Sequence, residues 1–252
     1  MTYAISATEL RSRLATEHPP LVIDVRGAAA FREADCMISG ALRRRPDEAS
    51  TWAAALPMGR TVVVYCVRGH EVSQSAAAML NDADIPARYL EGGIAAWKET
   101  GGALDRKPVG PSTRWITRER PKIDRMACPW LVSRFVDPDA EFHYVPAHEV
   151  LSAAKQREAE PYDIPGVHFG HAGELCSFDA FVRHYRLTDP ALQRLALIVR
   201  AADTSQAALA AQAPGLLAIS QGLSRNFPDD HEMLKHGMVM YDAPYTWCKT
   251  SG

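Results

Sequence analysis

The chain has 252 residues, of which 47% are hydrophobic and 23% charged, with a formal net charge of -2. That composition excludes a disordered or collagen-like chain, and the near-neutral charge offers no general attraction for nucleic acid or an anionic membrane. No window approaches 18 uninterrupted apolar residues, and the five cysteines, at 36, 66, 128, 176 and 248, are odd in number and contain no C-x-x-C pair, so reduced thiols in a cytoplasmic protein are expected rather than a disulfide or zinc-ribbon scaffold.

Ser6 and Glu9 have the spacing of a capping box and open a helix ending near residue 15. Residues 21–25 read as a buried strand, 51–56 as a helix and 61–65 as a second buried strand. The Ala-rich stretch 73–80 is helical, 87–90 is a third strand, and a helix carrying Ile94 and Trp97 follows Gly92 and Gly93. Strand and helix alternate over residues 1–102, which implies an α/β domain with a parallel sheet covered on both faces. Residues 103–113 lose all periodicity among Lys107-Pro108 and Gly110-Pro111 and read as a linker.

Residues 114–252 have a different texture, α+β and mostly helical. Short strands are expected at 114–117 and 141–145, and helices at 126–135, 178–185, 190–202 and 215–227, with 207–213 alanine-rich and helical. In the helix opened by Asp189-Pro190, the residues Leu192, Leu195, Val199 and Ala202 form one apolar stripe.

Cys66 ends the run Thr61-Val62-Val63-Val64-Tyr65, and Val67, Arg68, Gly69, His70, Glu71 and Val72 follow it before the next helix. A thiol at the carboxyl end of a buried strand faces the ligand-binding edge of an open sheet, where loop N–H groups and a helix N-terminus favour thiolate over thiol. The alternative, an inert apolar filler, suits a cysteine inside a strand better than one followed by charge and backbone freedom.

Asp24-Val25-Arg26, Ile38-Ser39-Gly40-Ala41, Tyr65-Cys66 with Gly69, Leu90-Glu91-Gly92-Gly93 and Trp97 resemble, in order and spacing, a single rhodanese domain. The resemblance implies a persulfide on Cys66, a sulfane-sulfur donor such as thiosulfate or a persulfide, a thiol acceptor, and no cofactor. Arg68 and His70 are then candidates for attracting an anionic donor, and the loop backbone from Val67 to Val72 for stabilising the persulfide. Two positions depart from the family. Glu71 stands where many members carry Arg or Lys, either disfavouring thiosulfate or simply opening the next helix; Cys36-Met37 replaces a frequent Gly-His and reads as packing. Val72 occupies the position at which cysteine phosphatases need an arginine fork, so phosphatase chemistry is disfavoured.

The second half resembles the C-terminal domain of ChrB-type chromate-resistance proteins. The resemblance rests on Trp115-Ile116-Thr117-Arg118, Asp124-Arg125, Cys128-Pro129-Trp130-Leu131, Phe169-Gly170-His171, Cys176-Ser177-Phe178-Asp179, Asp203, Asp229-Asp230-His231 and Tyr241 through Cys248. It implies a role in chromate tolerance. His168, His171, Glu174 and Cys176 lie within nine residues and suit zinc or iron if a turn gathers them; an ordinary polar loop with Ser177 as cap is the alternative. Asp203 extends a buried stripe and must be paired or ligating, and Asp124 is either its companion or a helix cap, with Arg125 beside it as partner for a buried acid or an oxyanion. A site joining Asp124, His171, Cys176 and Asp203 is the resulting expectation. Three functions therefore stand side by side: a sulfurtransferase centred on Cys66, a chromate-responsive regulator or sensor, and a metal-dependent, reductive enzyme of the second half. No basic helix-turn-helix supports DNA binding, no segment suits a membrane, and the oligomeric state is not legible.

Overall fold

The computed structural model describes residues 3–53, 56, 59–110 and 113–250. The chain divides into two compact units, Met1–Pro111 with Arg134–Pro138 and Lys249–Gly252 forming one, Ser112–Ser133 with Asp139–Cys248 the other.

In the first unit β1 (Ala4–Ile5), β2 (Leu21–Asp24), β4 (Leu42–Arg43), β5 (Val62–Tyr65) and β6 (Ala87–Leu90) form one sheet in the order β1-β6-β5-β2-β4. Every pairing in it is parallel. The central strand β5 is buried along its whole length, which is why it reads as an unbroken apolar run with no alternation. Helices α1 (Ala7–Leu14), α2 (Ala28–Glu33), α3 (Ala49–Ala53), α4 (Glu71–Asp82) and α5 (Gly93–Glu99) alternate with the strands. Ser6 caps α1 by accepting from the Glu9 N–H at 3.1 Å, as its spacing predicts. The expected helix 51–56 is α3 at its start; positions 54 and 55 lie outside the described residues.

The stretch read as a linker holds a strand, β7 (Leu104–Arg106), which pairs antiparallel with β3 (Cys36–Ile38) in the register Cys36 to Arg106. Lys107 then anchors the chain by donating its Nζ to the Ala34 carbonyl at 2.7 Å. Positions 111 and 112 of that stretch are outside the described residues.

The motif residues Asp24 and Arg26 form a buried clamp. Arg26 Nε donates to both Asp24 oxygens (3.0 and 2.9 Å), the Arg26 guanidinium reaches the Cys36 carbonyl at 2.9 Å, and Tyr65 donates its hydroxyl to Asp24 Oδ2 at 2.9 Å. The Ile38 N–H in turn donates to Tyr65 Oη at 3.1 Å, so every member is satisfied and the network fixes β2, β3 and β5 together.

The second unit has a three-stranded parallel sheet, β10-β8-β9, built from β8 (Arg114–Arg118), β9 (Glu141–Val145) and β10 (Glu160–Pro161). Around it lie α6 (Asp124–Leu131), α7 (Val150–Arg157), α8 (Ser177–His184), α9 (Pro190–Asp203), α10 (Ala213–Asn226) and α11 (Asp230–Thr250). Aromatic residues fill the core beside β8, with Trp115 centred 5.0 Å from Phe169 and 4.9 Å from Phe181.

The expected helix 126–135 begins at Asp124 and changes at Val132–Val136 to a π-helical turn. Pro129 inside α6 has no N–H for the Arg125 carbonyl one turn back, and the buried Tyr162 hydroxyl donates to that carbonyl instead at 3.3 Å. Residues 207–213 do not make one helix: a 3-10 turn at Ala207–Leu209 ends in extended Ala210, and α10 starts afresh because Pro214 could not donate to a helix running through it. No helix among the described residues is long and apolar enough to cross a membrane.

Candidate functional site

Cys66 follows β5 directly, at the carboxyl edge of the sheet, and is 7% exposed. Two glycines shape its loop. Gly69 has φ +70° and a Cβ there would stand 2.4 Å from the Leu90 carbonyl oxygen; Gly93 has φ +60° and a Cβ there would stand 2.5 Å from the Cys66 carbonyl oxygen. Only glycine permits both the left-handed backbone and the close approach. Across that contact the N–H groups of Ile94 and Ala95, in the first turn of α5, donate to the carbonyls of Cys66 (3.0 Å) and Val67 (3.1 Å).

The sulfur lies 3.2 Å from the hydroxyl of the fully buried Ser73, in the first turn of α4. Burial pushes the Cys66 thiol up, but the Ser73 hydroxyl and the backbone N–H groups of Arg68, Ser73 and His70 outweigh it, and the net result is a thiol held below its ordinary value. Arg68 and His70 thus reach the sulfur through their main chain, while both residues are exposed. Glu71 is exposed and is the first residue of α4, where a carboxylate is favoured by the unpaired amides of the helix start. Val67 and Gly69 lie in the loop, whereas Glu71 and Val72, expected there as well, are the first two residues of α4; Val67 and Val72 are exposed. Sequence reasoning missed Ser73. The signal was present as a hydroxyl in the first turn of the helix that the loop opens.

In the second unit a different group gathers. His171 Nε2 lies 3.3 Å from Asp124 Oδ2, 3.3 Å from Asp163 Oδ1 and 3.1 Å from Asp203 Oδ2. Asp124 opens α6 immediately after Ile123, whose φ of 44° is rare for a β-branched residue. Both peptide groups of Ile123 are pinned: its N–H donates to Ser220 Oγ at 2.8 Å, and its carbonyl accepts from the Tyr241 hydroxyl at 2.8 Å. Asp203 is the last residue of α9, as its place at the end of the apolar stripe suggests. Asp163 had no counterpart in the sequence reading. It follows β10 with a left-handed backbone (φ 52°), a conformation aspartate tolerates, and Arg118 (2.7 Å) and Arg125 (3.1 Å) hold its Oδ2.

Hydrogen bonding to Asp124 is the main cause that raises His171 to about 9, against the opposing effect of burial. Burial, followed by the charges of Asp124 and Asp163, pushes the Asp203 carboxyl up to about 8.

Three residues expected in this group serve elsewhere. Cys176 caps α8: its N–H donates to Asp179 Oδ2 at 3.1 Å, and its thiol is 3.5 Å from the same oxygen. Burial, then the charge of Asp124, pushes that thiol far up. His168 pairs with His184, Nε2 to Nδ1, at 2.9 Å. Glu174 is exposed and its charge acts on Arg200. The cap of α8 is Cys176 rather than Ser177, whose hydroxyl donates to Asp163 Oδ1 at 3.1 Å. Asp179, expected in the first turn, is there and accepts from Arg200 Nε at 2.9 Å.

Comparison with known proteins agrees with both halves of this description. The model of the ChrB C-terminal domain matches residues 115–248, and that of the rhodanese-like domain matches residues 6–100. Protein ChrB of Cupriavidus metallidurans is 31% identical over 134 residues, which are 53% of this chain and 40% of that protein. A sulfurtransferase of Allochromatium vinosum is 30% identical over 101 residues, 40% of this chain and 92% of that protein. A solved rhodanese-related protein from Thermoplasma volcanium is 23% identical, covering 40% of this chain and 95% of its own, with a TM-score of 0.35. The chain thus spans well under two thirds of the length of its ChrB relative. With more than half of its residues matched by one domain and most of the remainder by the other, the chain belongs to the family of the ChrB C-terminal domain and carries a rhodanese-like domain ahead of it.

Proposed function

We propose that the chain is a cytoplasmic sulfurtransferase serving chromate tolerance, with Cys66 as nucleophile and sulfur carrier. The observation that carries this reading is the Cys66 sulfur 3.2 Å from the Ser73 hydroxyl, in a loop whose amides favour the thiolate. In the first half-reaction the thiolate attacks the outer sulfur of the donor. A bond forms between Cys66 Sγ and that sulfur, the donor's own bond to it breaks, and the electron pair leaves with sulfite when thiosulfate is the donor or with a thiolate when a persulfide is. In the second, an acceptor thiolate takes the outer sulfur and Cys66 departs as thiolate, so the cycle is redox-neutral and needs no cofactor. The Arg68, Ser73 and His70 amides that hold the thiolate also suit the terminal charge of the persulfide. Glu71 at the start of α4 opposes a dianionic donor, which favours a persulfide over thiosulfate as the natural source.

The test is intact mass after incubation with a glutathione persulfide donor and, separately, with thiosulfate. Wild-type protein gains one sulfur atom, more readily from the persulfide, and Cys66→Ala gains none. Absence of any adduct with both donors overturns the reading.

A further inference from the structure

We propose that Asp124, Asp163, His171 and Asp203 form a binding site for one divalent first-row cation, separate from the Cys66 chemistry. The four side chains come from the start of α6, the second residue after β10, the loop before α8 and the end of α9, with only Asp163 and His171 near each other in sequence. Ligand atoms of Asp124, Asp163 and His171 lie within 4.8 Å of one another, a span that one ion with bonds of about 2.0–2.2 Å can bridge after small adjustment. Asp203 Oδ2, 3.1 Å from the same His171 nitrogen, supplies a fourth donor.

The histidine makes this more than a group of acids. His171 Nε2 carries at most one proton, and a proton points along one direction, yet three carboxylate oxygens stand 3.1 to 3.3 Å from that nitrogen. One hydrogen bond cannot serve all three, whereas an ion in place of the proton can. Asp124 is 1% exposed and Asp163 5%, so water does little to relieve their repulsion.

The surroundings have the form of a supporting outer ring. Arg118 and Arg125 hold Asp163 Oδ2, the Ser177 N–H donates to Asp124 Oδ2 at 3.3 Å, and the Ser177 hydroxyl donates to Asp163 Oδ1 at 3.1 Å, the last two being oxygens that also face His171. Such contacts orient ligands and leave their other lone pairs for the ion.

Three carboxylates and one imidazole suit Mn2+ or Fe2+ better than a soft ion. The His171 side chain is 43% exposed, so the ion would keep an open face for water or an oxyanion.

The test uses the full chain, freed of metal by chelator, with Mn2+ as probe and electron paramagnetic resonance reporting the free ion. We expect one Mn2+ per chain, affinity reduced at least tenfold in both His171→Gln and Asp203→Asn, and about tenfold in Ser177→Ala through the outer ring. Cys66→Ala retains the ion, and His171→Gln retains sulfur loading at Cys66, which separates this site from the sulfur-transfer reading. His171 is half-exposed, so its variant folds, as far-UV circular dichroism will confirm, and it decides the matter if Asp203→Asn does not fold. The proposal is overturned if the wild type takes up no stoichiometric Mn2+, Fe2+ or Zn2+, or if His171→Gln binds like the wild type.

Discussion

Replacing Ser73 with alanine isolates the contact on which the reactivity of Cys66 depends. A hydrogen bond to a charged group contributes about 1.5–3 kcal/mol, and about 1.4 kcal/mol corresponds to a tenfold change in an equilibrium. The Ser73 hydroxyl also lies 3.1 Å from the His70 carbonyl, to which it donates when the sulfur is protonated, so the gain on ionisation falls at the lower end of that range. The amides of Arg68, Ser73 and His70 remain in the variant. The expected outcome is a thiolate-to-thiol ratio about tenfold lower at a given pH, that is, an ionisation midpoint about one pH unit higher. The sign follows from the wild-type thiol lying below its ordinary value: the thiolate dominates above that lowered midpoint and is lost as pH falls through it, and the substitution moves the window upward. The assay is the rate of iodoacetamide alkylation against pH, with peptide mapping to separate Cys66 from the other four thiols. A midpoint in Ser73→Ala equal to that of the wild type would refute the reasoning, because the amides alone would then set the ionisation.

Gly69→Ala and Gly93→Ala should each lower stability by at least about 2 kcal/mol, combining the left-handed backbone cost with a Cβ inside 2.6 Å of backbone oxygen; urea denaturation measures it. Arg26→Ala leaves the Asp24 carboxylate buried without its guanidinium and should cost about 3–5 kcal/mol, seen in the same assay. Tyr162→Phe removes the donor that stands in for the missing amide of Pro129, and about 1–3 kcal/mol of destabilisation is expected by thermal unfolding, with wild-type stability in the variant counting against the substitution role.

The alternation of the first hundred residues was legible at β2 and β5, which are short apolar runs, at β6, and at helices that open on a polar or glycine signal, as at Ser6 and Gly92; the two-residue strands β1 and β4 and the helix α2 were not read. Cys66 was legible for the same reason: its setting is local, a strand followed by a loop followed by a helix. What escaped depends on partners far away in sequence. Strand β7 exists because Leu104 to Arg106 pair with Ile38 to Cys36, and three residues beside prolines and glycines carry no period of their own. Asp163 escaped because its role comes from Arg118, Arg125 and His171, none within its own segment. His168 and Cys176 were drawn into the site by proximity in sequence, whereas His184 and Asp179 claim them in space. Ile123 was unreadable, since a left-handed isoleucine is imposed by Ser220 and Tyr241 rather than by its own preference.

Gly69 lies against Leu90 and Gly93 against Cys66, so the loop that carries the thiol is packed tightly on β6 and the start of α5. Under the proposed sulfur transfer, an acceptor would have to present its thiol on a projecting arm, narrow enough to reach a cysteine that is 7% exposed. The surface such an acceptor would meet is the exposed collar of Val67, Arg68, His70, Glu71 and Val72, two apolar side chains interleaved with charge of both signs. Exchanging the side chains of that collar would then change which acceptor docks, while the Arg68 and His70 amides that act on Cys66 stay in place.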